Sequence, residues 1–139
     1  MKRSRRSHCP IHFALEVFGD RWTLLVVRDL MFKGKKNYGE FLSAEEGIST
    51  NILADRLSRL EASGIVTKEI DPDQKAKFIY RLTRKGQDLL PVLLEIIAWS
   101  ARHDPETAAP RSFARRLRAD REGVMAEYRR TWNEKETRT

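Results

Sequence analysis

The segment at residues 50–63 restricts the fold of this chain more than any other feature. Its leucines recur at steps of four and three residues and so form one apolar stripe along a helix: Leu53, Leu57 and Leu60. Ser49 is a good N-cap for this helix, and Gly64 is a typical residue at a helix C-terminus. A helix with a single apolar face must bury that face, so we predict that this helix packs within a folded domain.

The hydrophobic pattern changes immediately after this helix. Residues 65–70 and 77–82 are rich in β-branched and aromatic residues, which is typical of strands, and residues 71–74 between them are typical of a turn. The pattern predicts a β-hairpin with a charged tip. A helix with an exposed polar face that leads directly into a hairpin indicates a winged helix-turn-helix.

Helices are also predicted before this segment. Residues 10–31 have helical periodicity, and Pro10 suits the first helical position. Gly19 marks either a bend in this helix or a break into two helices. A short helix is predicted at residues 37–44. Together with the helix at residues 50–63, it would form the helix-turn-helix.

The predicted fold class is mainly α with a small β-hairpin, in which further helices flank a winged helix-turn-helix. After the hairpin, Thr83 caps a further helix, in which Pro91 causes a kink or a restart. The predicted organisation is a basic N-terminal arm (1–7), the winged helix-turn-helix domain (8–103), a linker (104–110) and a C-terminal amphipathic helix (111–139).

The net charge of +7 is unevenly distributed along the chain. Residues 1–7 carry +4 and residues 111–139 carry another +4, whereas residues 8–110 carry −1. Within that middle segment, residues 67–85 are locally basic, with six bases and three acids. Excess positive charge attracts nucleic acid first and anionic membranes second, and here it favours DNA contacts at the hairpin and at both ends of the chain.

Composition excludes several classes of protein. An apolar fraction of 40% over 139 residues predicts a folded domain rather than a disordered chain. One cysteine excludes an intramolecular disulfide framework, and His8, Cys9 and His12 are too few for a metal site. No membrane span, secretory signal, catalytic nucleophile–base pair or cofactor motif is present, so we expect a cytoplasmic protein that is not an enzyme and needs no cofactor.

Motifs over residues 8–100 resemble those of the HxlR-type winged-helix transcriptional regulators of bacteria. The matching blocks occur in order and with matching spacing: Cys9-Pro10, Gly19-Asp20-Arg21-Trp22-Thr23-Leu24-Leu25, Arg28-Asp29-Leu30, Gly47-Ile48-Ser49, Leu53, Arg56-Leu57, Leu60-Glu61, Gly64-Ile65-Val66, Tyr80-x-Leu82-Thr83-x-x-Gly86-x-x-Leu89 and Trp99. Two stretches depart from the family pattern. Asn37 occupies the position of a basic residue in the short helix, and the hairpin lacks the prolines of the family.

The resemblance implies a repressor or activator that binds double-stranded operator DNA as a homodimer. In that family the first helix and the helices after the wing form the dimer interface. Family members respond to small electrophiles, oxidants or metabolites, so the resemblance also implies a small-molecule effector. The alternative is a winged helix that binds another protein and does not recognise an operator.

The helix at residues 50–63 is the candidate recognition helix. Its candidate DNA-binding residues are Ser49, Thr50, Asn51, Asp55, Ser58 and Arg59. Asn and Arg can form bidentate hydrogen bonds with adenine and guanine. Asp55 would repel phosphate unless it meets a cytosine amine or orients Arg59, and Ser49 could serve only as a cap. The alternative interpretation of this surface is an ordinary solvated helix face.

Further candidates lie in the turn before the short helix, in the hairpin and near the N-terminus. The candidate phosphate contacts are Lys35, Lys36, Lys75, Lys77 and Arg81, and the alternative is a solvated hairpin. Cys9 is a candidate redox sensor because a helix N-terminus and neighbouring cations favour the reactive thiolate. The alternative for Cys9 is a small residue packed at the start of a helix.

Overall fold

The computed structural model of the protein describes residues 7–137, so the basic arm predicted at residues 1–7 lies outside the described residues except for Ser7. The described residues form eight helices and two strands. In chain order these are α1 (Pro10–Phe18), α2 (Thr23–Met31), α3 (Tyr38–Leu42), α4 (Thr50–Ala62), β1 (Val66–Ile70), β2 (Phe78–Leu82), α5 (Arg84–Gln87), α6 (Leu90–His103), α7 (Arg111–Ala119) and α8 (Arg121–Thr137). The prediction of a mainly α chain with one small hairpin is confirmed.

The chain divides into two compact units, one ending at Gly86 and one beginning at Gln87. In the second unit, α7 packs against both α6 and α8. The winged domain expected over residues 8–103 stays a prediction. The first unit contains α1–α4 and the hairpin, which are the elements of a winged helix-turn-helix.

The core of the first unit forms around α4, which packs against α2, α3 and β1. The predicted leucine stripe of α4 is buried. The other buried apolar residues of this unit are Val26, Val27, Met31, Phe41, Ile48, Ile65, Val66, Ile79 and Tyr80. Burial of each large apolar side chain contributes about 1.5–3 kcal/mol. The stripe therefore fixes the rotation of α4 and leaves its polar face towards solvent.

The predicted helix at residues 10–31 is broken into two helices, which confirms the second of the two alternatives. A Cβ atom added to Gly19 would lie 2.3 Å from the carbonyl oxygen of Leu15, so only glycine fits where α1 ends. The carboxylate of Asp20 then accepts the backbone N–H groups of Trp22 (2.9 Å) and Thr23 (3.2 Å). These hydrogen bonds cap the start of α2.

The predicted hairpin is confirmed, and both strands begin and end within one residue of their predicted limits. The strands are antiparallel, with Val66 opposite Leu82. Gly64 has a φ of +75°, the left-handed conformation expected of a glycine that follows a helix. The backbone N–H of Tyr80 also donates to the carbonyl of Lys36 (2.7 Å), which joins the segment before α3 to the hairpin.

A buried carboxylate joins α2 to the segments that flank α3. Asp29 is only 2% exposed, and its oxygens lie 2.9 Å from the Arg28 guanidinium and 3.6 Å from the Lys35 ammonium. Arg28 also pairs with Glu46 at 2.8 Å, and this hydrogen bonding lowers the pKa of Glu46 to about 2. The two cations compensate the buried charge of Asp29, which would otherwise be costly.

The second unit differs from prediction in one respect, because the single helix predicted from residue 111 is two helices. Asp120 has φ −149° and ψ 67°, which ends α7, and its side chain accepts the N–H of Gly123 (3.0 Å) in the first turn of α8. Asp120 therefore stops one helix and caps the next. Residues 104–110 are non-helical, as predicted for a linker. The buried apolar residues of this unit are Leu90, Leu93, Leu94, Leu117, Val124 and Met125.

Two helices carry apolar side chains on the surface of the chain. In α1 no residue is buried, and Ile11 and Leu15 are 70% and 57% exposed. In α6, Ile96 and Trp99 are exposed. Within residues 7–137, no helix is both long and apolar enough to cross a membrane.

Candidate nucleic-acid interface

The polar face of α4 is exposed along its whole length. The hydroxyl of Ser49 accepts the backbone N–H of Ile52 (3.3 Å), so Ser49 caps α4 as its residue type predicts. The other candidates on this helix are all exposed: Thr50, Asn51, Asp55, Ser58 and Arg59. From Asn51 onward they lie at steps of four, three and one residues, which places them on one side of the helix. The structure therefore brings the predicted recognition residues together on one accessible surface.

Asp55 holds the side chain of Arg59. Its carboxylate lies 2.9 Å from the Arg59 Nε, one turn further along α4, and the Arg59 side chain is 68% exposed. The same carboxylate oxygen also pairs with the guanidinium of Arg56. The sequence allows two roles for Asp55, contact with a cytosine amine or orientation of Arg59. The observed geometry fits the orientation of Arg59.

Arg56 pairs on its other side with Asp20, at the start of α2. The Arg56 Nε donates to the Asp20 carboxylate at 2.7 Å. Partial burial alone would raise the pKa of Asp20, but hydrogen bonds from Thr23 and Arg56 outweigh it and hold the pKa of this carboxyl well below its usual value. Sequence reasoning missed this ion pair. Both residues belong to the quoted motifs, but they lie 36 positions apart, and helical periodicity contains no signal for such a pair.

Polar contacts fix the N-terminus of α3 and join it to the N-terminus of α4. Asn37 caps α3 by accepting the N–H of Glu40 (2.9 Å), and Glu40 accepts the N–H of Asn37 in return (3.2 Å), which is a capping box. The hydroxyl of Tyr38 donates to the carbonyl of Thr50 (2.8 Å) at the start of α4. Asn37 thus has a structural role as the N-cap of α3.

The hairpin carries exposed cations at its tip. Lys75 and Lys77 lie exposed in the connection between β1 and β2. Arg81 pairs across the hairpin with Glu69 at 3.3 Å. Lys68, which was not among the predicted contacts, lies with its ammonium 4.3 Å from the centre of the Phe78 ring, a cation–π geometry.

An open groove of about 540 Å³ separates α4 from the hairpin. Its walls are formed by α4, the hairpin and the start of α3, through these residues: Asn37, Tyr38, Ala54, Leu57, Ser58, Glu61, Lys68, Ala76, Lys77, Phe78 and Tyr80. Ser58, one of the predicted recognition residues, and Lys77 of the hairpin therefore border the same space. The groove gives an extended ligand simultaneous access to both elements.

Two lysines before α3 differ in their surroundings. The ammonium of Lys35 lies 3.6 Å from the carboxylate of the buried Asp29, and the Lys35 side chain is 18% exposed. Lys36 is exposed, and its backbone carbonyl pairs with the hairpin. DNA contact by either lysine stays a prediction, and the geometry favours Lys36.

Cys9 lies at the N-cap position of α1 and is exposed. Within the single chain this thiol is not packed, and both the sensor role and the packing role stay predictions. His8 beside it is also exposed, and Arg5 and Arg6 lie outside the described residues. The one cysteine of the chain is therefore accessible to a reagent or to a second copy of the protein.

A comparison of the chain with known protein families supports the helix-turn-helix described above. A family model described as an HxlR-like helix-turn-helix matches residues 17–108, which include α2–α4, the hairpin and α6. The chain belongs to this family. The fold and the family expected from the sequence motifs are both confirmed.

Relatives in the HxlR-like family are transcriptional regulators. An HTH-type transcriptional regulator of Synechocystis is 37% identical over 86 residues, which cover 62% of this chain and 63% of that protein. The HTH-type transcriptional regulator YodB of Bacillus subtilis is 38% identical over 93 residues, which cover 66% of this chain and 82% of YodB.

Solved structures show the same fold. The redox regulator HypR in its oxidized form has a TM-score of 0.61 and 34% identity, over 68% of this chain and 97% of HypR. The reduced form of B. subtilis YodB has a TM-score of 0.58 and 32% identity, over 73% of this chain and 99% of YodB. YodB structures also include a diamide-treated and a quinone-bound form. These structural neighbours confirm the winged-helix fold.

Proposed function

We propose that the protein is a sequence-specific, homodimeric DNA-binding transcriptional regulator of the cytoplasm, without enzymatic activity. The observation that carries the proposal is the exposed polar face of α4 beside a cationic hairpin, in a chain of the HxlR-like family. Salt-sensitive binding to a selected DNA site, measured by fluorescence anisotropy, tests it.

DNA recognition would divide between α4 and the hairpin. An α-helix fits the major groove of B-DNA, where Asn51 and Arg59 have the hydrogen-bonding groups to recognise adenine and guanine. One sugar–phosphate strand would then run through the groove between α4 and the hairpin, past Lys68 and Lys77. Phosphate contacts fix the register of the protein, and base contacts determine the sequence.

The hairpin lysines give a prediction about salt dependence. Replacing Lys75 or Lys77 with Ala should weaken binding equally to operator and unrelated DNA, because phosphates are the same in both. Each removed phosphate contact should make the slope of log K against log[salt] shallower by about 0.9. Anisotropy titrations at several salt concentrations measure the slope, with Arg102→Ala on α6 as a control. A variant that changes base preference with an unchanged slope would contradict this role.

A second copy of the chain is the proposed partner of the exposed apolar residues on α1 and α6. Ile11 and Trp99 are large apolar side chains that are mostly exposed, and grouped side chains of this kind mark protein interfaces. The HxlR-type resemblance assigns dimerisation to the first helix and to the helices after the hairpin, which are the helices that carry these side chains.

Replacing Ile11 with Asp is expected to convert the dimer into monomers, because it places a charge in a desolvated apolar contact. Sedimentation velocity measures the change, and operator affinity should fall with it. Ile70→Asp is the matched control, since Ile70 is a similarly exposed isoleucine at the end of β1, with 62% exposure against 70% for Ile11. Monomeric wild-type protein, or an Ile11→Asp variant that stays dimeric, would contradict the proposed interface.

We also propose that the regulator responds to oxidants or electrophiles through Cys9. The thiol is exposed at the start of α1, the helix proposed to contact the second copy. Support comes from the neighbours, because HypR is a redox regulator and YodB has been solved after diamide treatment and with bound quinone.

Diamide treatment should produce a covalently linked dimer on a non-reducing gel. Two Cys9 thiols would lose their hydrogens to diamide and form one disulfide, and with one cysteine per chain that disulfide must join two chains. Cys9→Ser should abolish the linked band, and dithiothreitol should reverse it in the wild type. An unmodified Cys9 after treatment would remove oxidant sensing from the proposed function.

A further inference from the structure

Four charged side chains form a continuous line from the start of α2 to the exposed face of α4. In order they are Asp20, Arg56, Asp55 and Arg59, and opposite charges alternate at every step. Asp20 to Arg56 is 2.7 Å, and Asp55 to Arg59 is 2.9 Å. The exposure of the side chains is 30% at Asp20 and 18% at Arg56, and it rises to 68% at Arg59.

The inner end of this line is rigid because the Asp20 carboxylate has several donors. It caps α2 through the N–H groups of Trp22 and Thr23, accepts the Thr23 hydroxyl and accepts the Nε of Arg56. Thr23 is only 3% exposed, so these hydrogen bonds anchor the inner end of the line to a buried residue.

The outer end of the line would be mobile without these contacts. Arg59 is a long side chain with 68% exposure, and its pairing with a residue one turn away would by itself contribute little. Arg56 makes the pair of Asp55 and Arg59 more favourable, because its guanidinium already holds the same Asp55 oxygen in place. Arg59 is thus held in one direction before DNA arrives, which lowers the entropy lost on binding.

We propose that Asp20 and Arg56 are positioning residues for base recognition, which act through Asp55 to hold the Arg59 guanidinium ready for a base in the major groove. This inference rests on the proposed DNA-binding function and adds two residues to it that need not touch DNA. It also makes the junction between α1 and α2 part of the DNA-reading apparatus, because Asp20 directly follows the glycine that ends α1.

Two variants break the line without removing a base contact. Asp20→Asn keeps an oxygen that can cap α2 but loses the charge that holds Arg56. Arg56→Gln removes the central guanidinium. Glu46→Gln is the matched control, because it breaks a comparable pair with Arg28 that is not connected to α4.

The experiment uses the full-length protein and an operator selected from random DNA with the wild type. Anisotropy gives the affinity for this operator and for a duplex changed at the base pair whose preference is lost in Arg59→Ala. We expect Asp20→Asn and Arg56→Gln each to reduce that preference about three- to tenfold, with the salt slope unchanged. Glu46→Gln should leave the preference unchanged. In an Arg59→Ala background, Arg56→Gln should have no further effect.

The outcomes separate this inference from the function on which it rests. A wild type that selects no operator overturns both. A wild type that selects an operator, with Asp20→Asn and Arg56→Gln retaining full preference, overturns the positioning role alone. Effects of Arg56→Gln and Arg59→Ala that simply add would also overturn it. Thermal melting identifies a variant that fails to fold, and in that case Asp20→Asn decides the question because its cap is preserved.

Discussion

Replacing Asn51 or Arg59 with Ala is expected to lower operator affinity by about 1–3 kcal/mol each, since each side chain can form a bidentate pair with a base. The ratio of operator binding to binding of unrelated DNA should fall about 5- to 150-fold. Both side chains are exposed on α4, so the free energy of unfolding should change by no more than about 0.5 kcal/mol. Competition anisotropy with operator and scrambled duplexes measures the ratio.

Arg118→Ala is the matched control for this prediction. Arg118 is an exposed arginine on α7, outside the helix-turn-helix and the hairpin, so its loss could alter only sequence-independent binding. A domain that binds another protein instead of DNA would be indifferent to all three substitutions in the DNA assay. An unchanged ratio in both Asn51→Ala and Arg59→Ala would show that base recognition does not occur on this face of α4.

Replacing Asp29 with Ala is expected to lower the free energy of unfolding by about 3–5 kcal/mol, because it removes one partner from a buried ion pair. Arg28 would keep only Glu46, and Lys35 would lose the carboxylate to which it is directed. The loss is a large fraction of the stability of a small domain, so much of the protein would unfold near physiological temperature. Urea denaturation followed by circular dichroism measures the change.

Glu45→Ala provides the comparison for Asp29→Ala. Glu45 is an exposed acid in the segment after α3, so the same change of charge at the surface should alter the free energy of unfolding by no more than about 0.5 kcal/mol. If Asp29→Ala were as mild as Glu45→Ala, the ion pairs of Asp29 would not compensate a buried charge in the way the geometry indicates.

Local signals in the sequence were sufficient to predict α4 and the hairpin. The Ser49 cap, the leucine stripe and the glycine with positive φ all act within a few residues, and all three are found in the structure. The break between α1 and α2 was among the alternatives, because Gly19 weakens a helix wherever it occurs. The family motifs identified the fold correctly because their order and spacing follow that of the elements.

Distant pairings could not be predicted from the sequence. Asp20 and Arg56 meet only after α2 and α4 have packed together, and Lys35 is directed to Asp29 only because α2 buries that carboxylate. The C-terminal break was missed because the amphipathic pattern continues across Asp120, while the side chain of that residue caps a new helix. The predicted recognition residues share one exposed surface, and their role in DNA binding stays a prediction. Their mutual contacts could be found only in the folded chain.

Binding of the full-length protein to its selected operator, measured by anisotropy over a range of salt concentrations, is the most direct test of the central claim. The proposed regulator should prefer the operator to unrelated DNA by about a thousandfold or more at physiological salt. Its affinity should also fall steeply as salt rises, because phosphate contacts release counterions. Equal and weak binding to every sequence, or no salt-dependent binding at all, would contradict sequence-specific recognition by this winged helix.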